Sequence, residues 1–277
     1  MNYRHAFHAG NFADLVKHAA VTLIMDRLTA AAQPLLVVDS HAGAGAYDLE
    51  GELARKSKEA EAGIGRLMAD KAAPAVFDAL KAAVRKANPK GGLRFYPGSP
   101  VLVADRLRRE DEYVGAELRP DDFETLGQTL TTSRGLARAV NTDGFQLVRS
   151  RAADRRNLFV LIDPPYEAPN DYARIVEAVT PLLVRKTPAT TLIWLPLKDL
   201  ETFDAFLRRL EAAGAGDVMV AEARLQRLTD PMRMNGCALV VLGAPEGLEA
   251  DLKAAMDWVV ATSGGPGGLA KLWRLAS

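Results

Sequence analysis

The chain has 277 residues, 48% of them hydrophobic and 25% charged, a balance that suits one large α/β domain with an insertion and argues against disorder. No apolar run approaches the roughly 20 residues that cross a bilayer, and the opening Met1-Asn2-Tyr3-Arg4-His5 lacks the layout of a secretory leader, so a cytoplasmic protein is expected. Lys+Arg and Asp+Glu each number 35, so net charge points to no nucleic-acid partner, and the single Cys237 excludes an intrachain disulfide or a cysteine-rich zinc site.

Tyr3 to His18 mixes aromatics, cations and histidine, a blend suited to stacking and phosphate contact, or simply to an arm packed on the core. All four histidines, His5, His8, His18 and His41, precede residue 42, but no ligand spacing completes a metal site and none is expected. Apolar spacing predicts a helix over Phe12 to Ala30 and a strand over Leu35 to Asp39. About seventy residues separate that strand from the next, far more than one crossover helix needs, so something is inserted. Lys58 to Asp70 and Pro74 to Lys86 read as helices closed by the turn Asn88-Pro89-Lys90-Gly91-Gly92. The expected organisation is a catalytic domain of residues 1–49 and 96–277, in which 1–20 form an arm and helix start, and a helical subdomain at 50–95. From Gly51 to Phe95 ten Lys/Arg face five Asp/Glu, which makes the insert a candidate RNA-contacting lobe or a solvated helical surface.

Further strands are expected at Tyr113 to Glu117, Ala139 to Asn141, Leu158 to Asp163, Thr191 to Leu195 and Cys237 to Leu242, where Cys237 is a buried strand residue. Helices are expected at Asp121 to Thr132, Asp171 to Val184, Leu200 to Ala213 and Leu248 to Ala261, with Asn170 and Asp199 as caps. Asp217 to Leu225 alternates weakly and predicts an edge strand antiparallel to Cys237 to Leu242. The patch Gly264 to Gly268 reads as a turn. Alternating strands and helices predict an α/β, Rossmann-like fold with a mostly parallel, seven-stranded sheet and a helical insertion after the first strand.

In such sheets ligands bind beyond the carboxyl ends of the strands. After the first strand, Asp39-Ser40-His41-Ala42-Gly43-Ala44-Gly45 allows close backbone approach, but Asp48 stands where a dinucleotide fingerprint has its third glycine, which argues against a nicotinamide-dependent oxidoreductase. Glu117 ends the second strand and could accept hydrogen bonds from ribose hydroxyls. Asp143 and the backbone of Gly144 could read a cofactor adenine, or form a turn and helix cap.

The specific signal is Asp163-Pro164-Pro165-Tyr166. Two prolines remove two donors and leave a carboxylate and carbonyls pointed at one spot. An adenine amino group is a poor nucleophile and needs acceptors for its hydrogens. Asp163 and the Pro164 carbonyl supply them, Asp163 can then take the proton, and Tyr166 can stack on an unstacked or flipped base. This chemistry implies S-adenosyl-L-methionine as the methyl donor and an adenine N6 as the acceptor.

Tyr3-Arg4-His5, Phe7-His8-Ala9-Gly10-Asn11, Asp14, Lys17-His18, His41-Ala42-Gly43-Ala44-Gly45, Tyr96-Pro97-Gly98-Ser99-Pro100, Asp143-Gly144-Phe145 and the Asp163 tetrapeptide together resemble the RlmJ family of bacterial 23S ribosomal RNA adenine-N6 methyltransferases. The resemblance spans essentially the whole chain. It implies a class I S-adenosylmethionine-dependent fold and a monomeric enzyme acting on protein-free RNA. It also implies cofactor contacts at His18, His41, Ser99, Glu117, Asp143, Gly144 and Asp163, with Lys17 a neighbour, and substrate contact at Tyr3. The residues alone lead to Glu117, Asp143, Gly144 and Asp163; Ser99 alone reads as a cap for a helix over Pro100 to Arg108. The competing readings are a DNA adenine-N6 methyltransferase and a non-catalytic RNA-binding protein on the same fold.

Overall fold

The computed structural model describes residues 5–131, 133, 135–187, 189–230 and 234–275. Its strands are β1 (Leu35–Asp39), β2 (Ala46–Asp48), β3 (Phe95–Pro97), β4 (Glu112–Ala116), β5 (Leu136–Val140), β6 (Asn157–Ile162), β7 (Ala189–Leu197), β8 (Val218–Arg224), β9 (Gly236–Leu242) and β10 (Leu269–Arg274). The α-helices are α1 (His5–His8), α2 (Phe12–Thr29), α3 (Glu52–Ser57), α4 (Arg66–Ala69), α5 (Asp78–Ala87), α6 (Ser99–Ala104), α7 (Pro120–Leu130), α8 (Gly144–Ser150), α9 (Asp171–Leu183), α10 (Leu200–Ala212) and α11 (Leu248–Ser263).

The main sheet runs β10-β8-β9-β7-β6-β1-β4-β5. The pairs β1/β4, β1/β6, β4/β5 and β6/β7 are parallel, while β9 and β10 pair antiparallel to their neighbours. β1 is buried along its whole length, and its side chains divide between two cores: Leu35 and Val37 face one, Leu36 and Val38 the other. That is the two-residue period of a strand covered on both faces by helices. α2 and α11 cover the first face; α9 and α10 cover the second. Strand order reverses at β1, so the carboxyl ends of β1, β4 and β6 border one crevice.

The fold class and each expected strand appear, with ends shifted by a few residues. The edge strand β8 pairs antiparallel with β9 as expected. Asp199 caps α10 by accepting from the Thr202 N–H at 2.7 Å, whereas Asn170 stands at the N-cap of α9 without a side-chain bond. The sheet has eight strands rather than seven, because the stretch after Gly264 to Gly268 returns as β10 along β8. Ser99 is the first residue of α6 rather than its cap, and Gly98 stands at the cap position.

The insert is more broken than two helices. α3 opens it, the stretch from Lys58 holds a π-helical turn (Glu61–Gly65) running into α4, and a 3₁₀ turn (Ala75–Phe77) leads into α5. Its entry and exit are stitched by the β2/β3 pair, Tyr47 opposite Tyr96. Ile64, Leu67, Phe77, Leu80 and Val84 join the same core as α2 and α11, and Phe77 meets Trp258 of α11 edge to face at 5.2 Å. No helix among the described residues is long and apolar enough to cross a membrane.

Candidate active site

α2 brings a charged row to the crevice. Asp14, Lys17 and His18 share a helix face by their three- and four-residue spacing, and Asn11 starts the helix by accepting the Asp14 N–H at 3.0 Å. Asp14 accepts the Gly10 N–H at 2.8 Å, lies 3.2 Å from His5 Nε2 and 2.8 Å from Lys17 Nζ. Lys17 in turn reaches Asp163 Oδ2 at 2.5 Å. Burial works against charge on both Asp14 and Lys17, yet their attraction wins: Asp14 is held well below the usual carboxylate range by Lys17, His5 and His18, and Lys17 well above its own by Asp14 and Asp163. Asp14 and Lys17 therefore stay ionised.

His18 follows the opposite rule. Burial lowers it to about 3, against the pull of Asp14, so it is a neutral ring that shares a 2.7 Å hydrogen bond with the Tyr96 hydroxyl. His41 is lowered to about 4, again by burial; it bonds Ser40 Oγ at 2.8 Å and sets its ring edge-on to Phe145. Both histidines serve as polar but uncharged walls. Among the described residues no group of three or more His, Cys, Asp or Glu could hold a metal ion.

A cleft lies beyond the ends of β1 and β4, and it brings together His18, His41, Ser99, Glu117, Gly144 and Asp163. Gly144 is required there by space, since a Cβ would stand 1.7 Å from the Ser40 carbonyl oxygen. Glu117 accepts the N–H groups of Gly43 at 3.0 Å and Arg119 at 2.8 Å, and burial raises its pKa despite them. Beneath the cleft, Asp39 accepts from Ser99 Oγ at 2.8 Å and Tyr113 Oη at 3.2 Å, and burial pushes it up to about 6. Asp143 does not line the cleft. It caps α8 through the Gln146 N–H at 2.9 Å and pairs with Arg174, whose guanidinium lies 4.4 Å from the centre of the Phe145 ring.

A second cavity opens on the other side of Asp163, and Pro164, Tyr166, Trp194, Pro196 and Lys198 contribute to its walls. Asp163, Lys17, Pro165 and His5 line both cavities. Tyr166 adopts φ 53°, a costly left-handed backbone for a bulky residue and typical of functional turns. Its hydroxyl donates to the Trp194 carbonyl, which pins the ring against β7. Of the expected site residues, Tyr3 lies outside those described. Sequence reasoning missed His5, Asp14, Asp39, Tyr96 and Arg174; the three- and four-residue spacing of Asp14, Lys17 and His18 was the one available signal.

Parallel strands on both sides of β1, the reversed β9, and a proline-fixed loop at the exit of β6 define a Rossmann-like α/β methyltransferase fold. A family model described as ribosomal RNA large subunit methyltransferase D, RlmJ, matches residues 32–275. The chain is 33% identical over 261 residues to ribosomal RNA large subunit methyltransferase J of Escherichia coli, covering 94% of this chain and 92% of that protein. It is 32% identical over 266 residues to the Haemophilus influenzae protein of the same name, covering 95% and 94%. A Legionella pneumophila protein of known crystal structure superposes with a TM-score of 0.88 at 25% identity, covering 96% of this chain and 98% of that one. The chain belongs to the RlmJ family.

Proposed function

We propose that the protein transfers a methyl group from S-adenosyl-L-methionine to the N6 amino group of an adenine in 23S ribosomal RNA. One observation carries this reading: Asp163 is shared by two cavities, one floored by glycine backbone and acids, the other walled by prolines and rings. The family's naming for large-subunit ribosomal RNA supports the substrate, and the acceptor loop supports the amino group.

The first cavity suits the cofactor. Glu117 and Asp163 line it and the buried Asp39 lies beneath it, so it would suit a cationic cofactor; Glu117 keeps lone pairs that would accept ribose hydroxyls, and Gly144 leaves its backbone open to a base. His18, His41 and Ser99 complete the walls, with Asp143 supporting the Gly144 turn from behind. When bound, S-adenosylmethionine supplies an electrophilic methyl group.

The chain's own residues then prepare the amine. Lys17 occupies Asp163 Oδ2, which leaves Oδ1 to accept one N6 hydrogen while the Pro164 carbonyl accepts the other. Accepting both hydrogens frees the nitrogen lone pair from the ring and stabilises the positive charge that develops on it. Asp163 can then take the proton of the strongly acidic methylated amine. Tyr166 and the prolines hold the flat base, which must leave its stack to enter. We take the substrate to be protein-free RNA, the enzyme to act as a monomer in the cytoplasm, and Tyr3 to be a further substrate contact, as the resemblance implies.

The test is transfer of tritiated methyl to protein-free 23S ribosomal RNA by the wild type and by Asp163→Ala. The expected result is labelled RNA and a loss of about a thousandfold in the variant, the scale of removing a preorganised transition-state acceptor. Full activity in Asp163→Ala would remove that residue from the mechanism; equal labelling of duplex DNA would make the enzyme a DNA methyltransferase.

A further inference from the structure

We infer that Glu59 of the insert is a positioning residue for the acceptor pocket, acting by clasping the amino-terminal arm; the inference rests on the function proposed above. Its carboxylate takes two partners from the arm. His8 Nδ1 stands 3.1 Å and 3.0 Å from its two oxygens, and Asn11 Nδ2 donates at 2.9 Å. Hydrogen bonds to an ionised acceptor are about twice as strong as neutral ones. Glu59 stays ionised, because those bonds and the nearby His8 outweigh its burial and hold its pKa below the usual value.

The backbone is shaped for the same contact. The Ile64 N–H, within the π-helical turn, donates to the Gly10 carbonyl at 2.8 Å. At Gly63 a Cβ would lie 2.1 Å from that carbonyl oxygen and 2.9 Å from Asn11 Cα, so the glycine exists to admit the arm. Single π turns of this kind are concentrated at functional sites.

The clasp leads directly to the chemistry. Asn11, fixed by Glu59 through Nδ2, uses Oδ1 to cap α2 at Asp14. Gly10 and His5 both bond Asp14, Asp14 holds Lys17, and Lys17 holds Asp163. His8 and Asn11 are themselves walls of the second cavity. The insert also carries ten cations. Four of them meet carboxylates, Arg55 on Glu50, Lys56 on Glu52, Lys86 on Asp105 and Arg94 on Asp48, and Arg66 and Lys81 donate to the Thr262 and Asp70 carbonyls. Through Glu59 the insert contributes to the reaction as a receptor for the arm.

The experiment uses the full chain with Glu59→Ala, Glu59→Gln, His8→Ala and the double variant Glu59→Ala/His8→Ala. Hydrogen exchange over residues 5–11 is read without RNA, and kcat and KM are read on protein-free 23S ribosomal RNA. Glu59→Ala should speed exchange in the arm and lower kcat/KM for RNA by at least about tenfold, the scale of one charge-assisted hydrogen bond where two are lost, with the cofactor Kd changed by less than that. Glu59→Gln, which keeps one acceptor oxygen, should recover part of the loss. The double variant should lose no more than the worse single one, since both act through one contact. Unchanged arm exchange in Glu59→Ala, or losses that multiply in the double variant, would overturn the proposal. If the wild type fails to methylate RNA, the proposed function falls instead, and the exchange measurement still decides whether Glu59 holds the arm.

Discussion

The cavity beyond β1 and β4 and the cavity beyond β6 share Asp163, yet they treat charge in opposite ways. On the first side, Asp39 and Glu117 are held by neutral donors, and burial raises both. On the second, Asp14 is buried beside Lys17 and is driven down, while Lys17 is driven up. A buried carboxylate whose hydroxyl and amide bonds do not offset its desolvation gives up its charge more readily than a solvated one. One bonded to a buried ammonium keeps it firmly. The fold thus combines a soft negative surface, Glu117 with Asp39 beneath it, and a rigid ion row on Asp163; in the proposed function the first suits a cationic cofactor and the second aims the acceptor carboxylate.

The largest way to break this contrast is Lys17→Met, which leaves Asp14 and Asp163 without their cation. Breaking a buried ion pair costs about 3–5 kcal/mol, to be read by denaturant unfolding, and transfer to RNA should fall with it. The sign of the pH dependence follows. In the wild type Asp14 is depressed, so its contribution is present above its unfolded pKa and lost as pH falls through the folded value. Without Lys17, burial dominates and raises Asp14, so the variant should lose more stability at pH 8 than at pH 5. A loss below about 1 kcal/mol, the value of an exposed pair, would show that the row is not the rigid element described.

A smaller effect sharpens the other half. As pH falls through about 6, Asp39 takes up a proton and the cleft loses negative charge. Affinity for S-adenosylmethionine, followed by calorimetry, should weaken by about tenfold between pH 8 and pH 5. Asp39→Asn should flatten that profile, whereas His41, already neutral above about 4, should not set it. A wild-type profile that is flat over the range would contradict the soft-surface reading.

Legibility follows the same divide. β1, β6 and β9 are short β-branched runs with buried flanks, so their positions and the strand-end residues Glu117, Gly144 and Asp163 could be read locally. β10 could not, because an edge strand buries little and its Leu269–Arg274 pattern gains meaning only from its pairing with β8. β2 and β3 are three residues each and meet across the whole insert. In the site, Lys17 meets Asp163 across 146 residues and His8 meets Glu59 across 51, and no local spacing encodes such pairs. The mixed arm from Tyr3 to His18 suits phosphate contact or packing on the core, and composition alone does not show that its His5 and His8 bond carboxylates.

The central claim is the transfer of methyl to one adenine amino group under Asp163. Its most direct measurement is mass-spectrometric mapping of methylated nucleosides in protein-free 23S ribosomal RNA from a strain lacking this gene, before and after treatment with the pure protein and S-adenosylmethionine. The account predicts N6-methyladenosine restored at a single position by the wild type and not by Asp163→Ala. A methyl group found on another base or on a ring nitrogen, or restored equally by the variant, would contradict it.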